Sequence, residues 1–138
     1  MRKSILLVGI IVIVVLLSSF GYMNHLDYQS KTVHETKRWA VVKDSKGDII
    51  SLETMNDQVW HQLVDLHQNQ TKMWIGGVVE RYNNAWGFRF KPGTIIIAQI
   101  TIEAAQSNIK GISQDLDYWI NTWSRETYVL ARVAEIHQ

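Results

Sequence analysis

Hydrophobic and polar residues alternate most regularly between Trp86 and Ile102. In the first run, residues 86–91, aromatic side chains alternate with small or cationic ones, and in the second run, residues 95–102, isoleucine and alanine recur at every second position. A period of two is typical of a half-buried strand. Pro92 and Gly93, which stand between the runs, favour a turn. The two runs are therefore predicted to form a hairpin at the centre of a small sheet.

In the rest of the chain, apolar residues recur less regularly but still predict strands and helices. Branched and aromatic residues predict four further strands, at residues 39–43, 49–52, 72–82 and 127–136. Gly76 and Gly77 interrupt the third of these strands and predict either a bulge or a close backbone approach. Apolar residues at helical spacing predict two helices, at residues 54–69 and 107–121. The fold class predicted from this order is α+β, a small antiparallel sheet packed by two helices after an N-terminal transmembrane helix.

The predicted transmembrane helix is the uncharged stretch from Ser4 to Met23, 20 residues long. This length matches the ~30 Å hydrocarbon core of a bilayer. Arg2 and Lys3 precede it and favour a cytoplasmic N-terminus, which would place the C-terminal domain outside the cytoplasm. One alternative is a signal peptide cleaved near Leu17-Ser18-Ser19 and a secreted domain. A buried helix of a soluble protein is the other alternative.

Three regions are predicted on this basis. Residues 1–23 are a transmembrane signal-anchor, residues 24–38 a polar juxtamembrane linker, and residues 39–138 a small α+β domain. The predicted localisation is the cell membrane, as a single-pass protein with an extracytoplasmic domain. The membrane is then one partner, through residues 4–23. The oligomeric state is not determined by the sequence.

The charge balance and the absence of cysteine exclude several classes of function. The chain has 14 Lys and Arg; Arg2 and Lys3 precede the apolar stretch, which leaves 12 against 13 Asp and Glu. A domain with this balance has no basic footprint for nucleic acid. The absence of cysteine excludes disulfides, thiolate zinc sites and thiol nucleophiles.

Candidate metal and modification sites are few. Asp44 and Asp48 flank a loop containing Gly47, but the spacing and the terminal glutamate of an EF-hand are missing, so a hairpin turn is expected. His61 and His67 are six residues apart and face different sides of a helix, which excludes a shared metal. No metal, cofactor or catalytic residue is predicted. Asn69-Gln70-Thr71 matches the N-glycosylation acceptor pattern and makes Asn69 a candidate site.

Several landmarks occur in order between Ile49 and Ile136. Together they resemble the calmodulin-binding-protein-like N-terminal domain family, whose pattern is matched by Gly76-x-Val78-Val79, Trp86-Gly87-Phe88-x-Phe90-x-Pro92-Gly93-Thr94-Ile95, Ile102-Glu103, Asp115-Leu116-Asp117-Tyr118-Trp119 and Trp123-Ser124. The resemblance implies a small α+β domain, found mostly in exported microbial proteins behind a signal or anchor. It implies a mainly structural role for the matching residues Trp86, Phe88, Pro92, Glu103, Asp117, Trp119, Trp123 and Ser124.

The chain departs from that family pattern in two respects. Alanine stands at position 104, where the family usually has cysteine, so a family disulfide is excluded. Neither predicted helix is basic, as a calmodulin target would be, so calmodulin binding is not implied for this chain.

The class of function predicted is a non-catalytic binding or interaction module for an unidentified surface protein or ligand. Its main support is the set of six tryptophans, because aromatic side chains dominate interfaces as well as cores. A structural cell-surface component is the alternative. A hydrolase is the third possibility, with Ser124 near Glu126, or Glu103 near Arg89 or Arg132, as candidate groups.

Overall fold

A computed structural model of the chain describes residues 37–138. The described part contains seven strands: β1 (Trp39–Asp44), β2 (Ile49–Glu53), β3 (Met73–Arg81), β4 (Phe88–Phe90), β5 (Ile96–Ala98), β6 (Gln106–Ser107) and β7 (Glu126–His137). Two α-helices accompany them, α1 (Asp57–Asn69) and the short α2 (Ile109–Gln114). Single turns of 3₁₀ helix occur at Pro92–Thr94 and Glu103–Ala105, and a π-helical turn at Tyr118–Trp123.

The strands form one curved sheet in the order β2-β1-β7-β3-β4. All neighbours in this order are antiparallel, β5 pairs with β3 beside β4, and β6 adds a short parallel pair to β7. Strands β2 and β4, at the two ends of the order, approach each other, so the sheet nearly closes into a barrel.

Alternating residues of the sheet form the core. Val42, Leu52, Ile75 and Val129 are fully buried, and helix α1 packs Leu63 among them. The side-chain oxygen of Asn56 accepts a hydrogen bond from the Val59 amide at 3.0 Å and so caps the start of α1. The helix lies against β7 and also contacts β5.

Several sequence predictions are confirmed. The β1–β2 hairpin, the strand at β3, the long final strand and the helix that ends at Asn69 all occur within two or three residues of the predicted limits. The two glycines in β3 mark a close backbone approach, because a Cβ added at Gly76 would lie 1.8 Å from the carbonyl oxygen of Thr127.

The predicted fold class is wrong, because the described residues are mostly β with one main helix. The second helix predicted at residues 107–121 is replaced by β6, the six-residue α2 and the π-helical turn. Asp115 adopts φ −139° and ψ 54°, which ends α2 before a long helix can form. The apolar residues of segment 107–121 have nearly helical spacing because two short helical pieces, α2 and the π-helical turn, follow one another.

The predicted central hairpin is also wrong. Strands β4 and β5 do not pair with each other but lie one after the other along the same edge of β3. The hydroxyl of Thr94 holds this arrangement, because it accepts from the Val78 amide at 2.9 Å and donates to the Lys91 carbonyl at 2.7 Å. Strand β5 ends at Ala98, and Ile100 and Ile102 are 87% and 61% exposed instead of forming a strand face.

Residues 37–138 include no helix with the length and apolar character needed to cross a membrane. The prediction of a single-pass, signal-anchored membrane protein with an extracytoplasmic domain is therefore corrected. The segment on which it was based, residues 4–23, lies outside the described residues, as does the predicted linker up to residue 36.

An aromatic cleft beside strand β2

A cleft of about 630 Å³ lies between β2 and the connection from β3 to β4. Its walls include aromatic residues from three parts of the chain: Trp39, Tyr82 with Trp86, and Phe90. Trp39 pairs with Glu53 in the β1–β2 ladder, and Lys43 pairs with Ile49. The cleft therefore follows the whole length of β2, roughly 14 Å for five extended residues.

The end of the cleft near Ile49 is held by Trp86. Its indole N–H donates to the Ile49 carbonyl at 2.7 Å, and its own carbonyl accepts from the Ser113 hydroxyl at 2.7 Å. The backbone amide of Trp86 donates to the Asn84 side chain, whose amide group in turn donates to the Phe88 carbonyl. The first of these bonds holds the indole ring, and the other three hold the backbone of the turn that carries it.

The other end, near Glu53, is held by Trp39. The imidazole of His137 stacks on its indole, with ring centroids 3.7 Å apart and an interplanar angle of 7°. The Lys37 ammonium lies 3.0 Å from the Glu53 carboxylate at the same end. Both ends of the cleft thus carry an ordered tryptophan.

A cationic group lies between these ends. The Arg89 guanidinium donates to the Glu80 carboxylate at 2.7 Å, and its central carbon lies 4.4 Å from the centroid of the Tyr82 ring. The hydrogen bond to Glu80 is the main cause that raises the pKa of Arg89 above its usual range, and the charge of Glu53 adds to it. The ion pair with Glu80 orients the Arg89 guanidinium and balances much of its charge.

Of the eight residues for which the family resemblance implies a structural role, Trp86 lines the cleft, and so does Phe90, which the family pattern also includes. Phe88 is fully buried and Trp119 nearly so. The indole N–H of Trp123 donates to the Glu126 carbonyl at 2.9 Å. These three residues support the core and the turn before β7.

The remaining predicted residues lie elsewhere on the surface. Pro92 begins the 3₁₀ turn after β4, and Glu103 begins the one before β6. Asp117 accepts a hydrogen bond from Arg81 in an exposed pair, and Ser124 has the left-handed backbone conformation after the π-helical turn, with φ 46°. Asn69, the candidate glycosylation site, is the last residue of α1 and is exposed.

Sequence reasoning did not assign Trp39, Tyr82, Arg89 or Glu53 to a common site. Arg89 was considered as a partner of Glu103, but in the structure its ion pair is with Glu80 on the neighbouring strand. An aromatic residue at an outward strand position, as Trp39 is, was the available signal. An outward aromatic residue does not show which other residues share its site, because the cleft is formed by strands that are far apart in the chain.

Comparison with known proteins adds no relative: no family model, no curated protein and no solved structure matches this chain. The resemblance to the calmodulin-binding-protein-like N-terminal domain therefore stays a prediction. The cleft itself is the basis for assigning a function.

Proposed function

We propose that this protein is a non-catalytic binding module and that its ligand occupies the aromatic cleft beside β2. The observation that carries the proposal is the pair of ordered tryptophans at the two ends of the cleft. Each indole is held by contacts within the protein, Trp86 by Ile49 and Trp39 by His137. Binding to rings that are already ordered costs little additional side-chain entropy.

The size of the cleft and the nature of its lining agree with this role. A volume of about 630 Å³ is within the range of clefts that hold small ligands or short segments of larger ones. Partly exposed tryptophan and tyrosine side chains in concave surfaces are frequent centres of binding energy. Tyr82, 43% exposed, gives the cleft an apolar surface open to solvent.

The charges of the cleft favour a ligand that is mostly uncharged. Lys37 is paired with Glu53 and Arg89 with Glu80, so each charged side chain already has an opposite charge within about 3 Å. A ligand charge would have to compete with these pairs and would gain little from them. Apolar or aromatic groups, combined with uncharged hydrogen-bonding groups, match this surface best.

The test uses the full-length protein and two sets of immobilised probes, random twelve-residue peptides and neutral oligosaccharides. We expect retention by members of one set, and we expect Trp39→Ala to weaken it by about tenfold or more, because truncating a main aromatic contact costs more than about 1.4 kcal/mol. Dissociation constants measured by surface plasmon resonance give the comparison.

The matched control is Tyr118→Ala, which removes an exposed aromatic ring that does not line the cleft. It should leave the dissociation constants unchanged. The proposal fails if neither probe set is retained, or if the Trp39 variant binds as well as the parent while both variants melt at similar temperatures.

A further inference from the structure

The hydrogen bonds of the β1–β2 ladder show which backbone groups of β2 face the cleft. The Thr54 amide donates to the Arg38 carbonyl at 3.3 Å at one end of the ladder, and the Asp44 amide donates to the Asp48 carbonyl at 2.9 Å at the other. In an antiparallel ladder, hydrogen-bonded pairs alternate with non-bonded pairs. Ile50 and Leu52 therefore bond to β1.

The alternate residues of β2 must direct their amide and carbonyl groups away from β1. These residues are Ile49, Ser51 and Glu53, and within residues 37–138 strand β2 pairs with no other strand than β1. The bond from the Trp86 indole to the Ile49 carbonyl agrees with this direction. Ser51 and Glu53, which line the cleft, are left with outward-facing donors and acceptors.

The same reasoning applies to β4 on the opposite side. The Lys91 amide donates to the Val78 carbonyl at 2.8 Å and the Tyr82 amide to the Gly87 carbonyl at 3.1 Å, so Arg89 is the residue of β4 that bonds to β3. Phe88 and Phe90 then direct their backbone groups outward, and the Phe88 carbonyl accepts from Asn84. The cleft thus lies between the edges of two strands, neither of which pairs with a further strand within residues 37–138.

We propose that the occupant of the cleft is an extended, uncharged segment of a partner polypeptide, which adds to the edge of β2 as a further strand. This inference rests on the proposed function and specifies its ligand class. The segment would exchange amide and carbonyl hydrogen bonds with Ser51 and Glu53, the recognition mode in which a peptide extends a sheet.

Three features favour a peptide strand over other occupants. A row of alternating donors and acceptors at strand spacing complements an extended backbone and leaves it fully bonded. The length of β2 fits about four or five extended residues. The paired charges of the cleft match a segment without charged side chains at its centre.

The experiment compares two bead-bound libraries with the same side chains, capped hexapeptides and the corresponding peptoids, which have no backbone N–H groups. Fluorescently labelled full-length protein is applied to both. If β2 forms hydrogen bonds with the peptide backbone, peptide beads should be labelled about tenfold more often than peptoid beads. Each N–H group that the peptoid lacks leaves a carbonyl at the edge of β2 without a hydrogen bond.

A substitution in the protein tests the same bonds from the other side. Ser51→Pro removes an N–H that faces away from β1, a position where proline is tolerated in an edge strand. It should weaken binding of the peptide hits by about tenfold. Ile102→Pro is the control, because Ile102 lies outside the cleft and has φ −76°, close to that of proline.

The outcomes separate this inference from the function on which it rests. Equal labelling of both libraries would overturn strand addition. The cleft would then remain a binding site, but one that recognises side chains and not the backbone. Labelling of neither library, with oligosaccharides retained in the earlier test, would also overturn it. A dimer in solution that Ser51→Pro dissociates would assign the edge of β2 to a second copy of the chain and overturn the partner-peptide proposal.

Discussion

Replacing Gly76 with alanine is expected to lower the free energy of unfolding by on the order of 3–5 kcal/mol. The added Cβ would lie 1.8 Å from the Thr127 carbonyl oxygen and 2.9 Å from the Tyr128 Cα, and both atoms belong to the backbone of β7. A backbone cannot rotate away as a flexible side chain can, so β3 and β7 must separate. These strands form the middle of the sheet, and a domain of this size has a total stability of about 5–15 kcal/mol.

Gly93→Ala is the matched control for this substitution. Nothing lies within 4 Å of a Cβ placed at Gly93, so the same chemical change should alter stability by less than about 1 kcal/mol. Urea denaturation followed by tryptophan fluorescence measures both variants. A loss below about 1 kcal/mol for Gly76→Ala would contradict the close approach of β3 and β7.

The second large effect is expected for Asp44→Ala. One carboxylate oxygen of this buried residue accepts from the Lys46 and Asp48 amides at 2.9 and 3.0 Å, and the other accepts from the Ile109 amide at 2.9 Å. Removing the carboxylate leaves the buried Ile109 amide without a partner and loosens the β1–β2 turn. The expected cost is about 3 kcal/mol, because bonds to charged groups and buried unpaired donors each cost about 1–3 kcal/mol.

Two further variants test this explanation. Asp48→Ala, in the same turn, should cost less than about 0.5 kcal/mol, because the Asp48 side chain makes no hydrogen bond within residues 37–138. The stability loss of Asp44→Asn should fall between those of the two alanine variants. Its amide oxygen can still accept from the Lys46 and Asp48 amides, while its NH₂ group faces the Ile109 amide and cannot accept from it. Thermal melts that rank Asp44→Ala no lower than Asp48→Ala would contradict the role assigned to the carboxylate.

Local patterns in the sequence predicted the long elements well. Strands β3 and β7 and helix α1 are recognisable because branched residues, caps and periodicity over many positions all indicate the same structure. The loop between Asp44 and Asp48 was predicted as a turn on its composition, and the structure confirms it. The partners of Asp44 were not predictable, because Ile109 is 65 residues away.

The errors arose where tertiary pairing outweighs local pattern. The alternation in residues 95–102 predicted a full strand, yet only Ile96–Ala98 pair with β3. Residues 112–123 have nearly helical apolar spacing, but Asp115 and the π-helical turn divide them. Short segments of this kind are decided by their neighbours in space more than by their own period.

The cleft could not be predicted from the sequence for a related reason. Trp39 and Trp86 are 47 positions apart, and the site is formed only because the sheet curves until β2 and β4 approach each other. The excess of tryptophan was one signal available from the sequence. It indicated a binding class without indicating which tryptophans remain accessible.

The central claim is that β2 presents a free edge to an open cleft, and amide hydrogen exchange followed by NMR tests it most directly. The amides of Ile50 and Leu52, which bond to β1, should exchange about a hundredfold more slowly than those of Ser51 and Glu53. This alternation along β2 is the expected result for the protein without ligand. Equally slow exchange of all four amides would mean that β2 is paired on both sides, and the cleft would then have no free edge to offer.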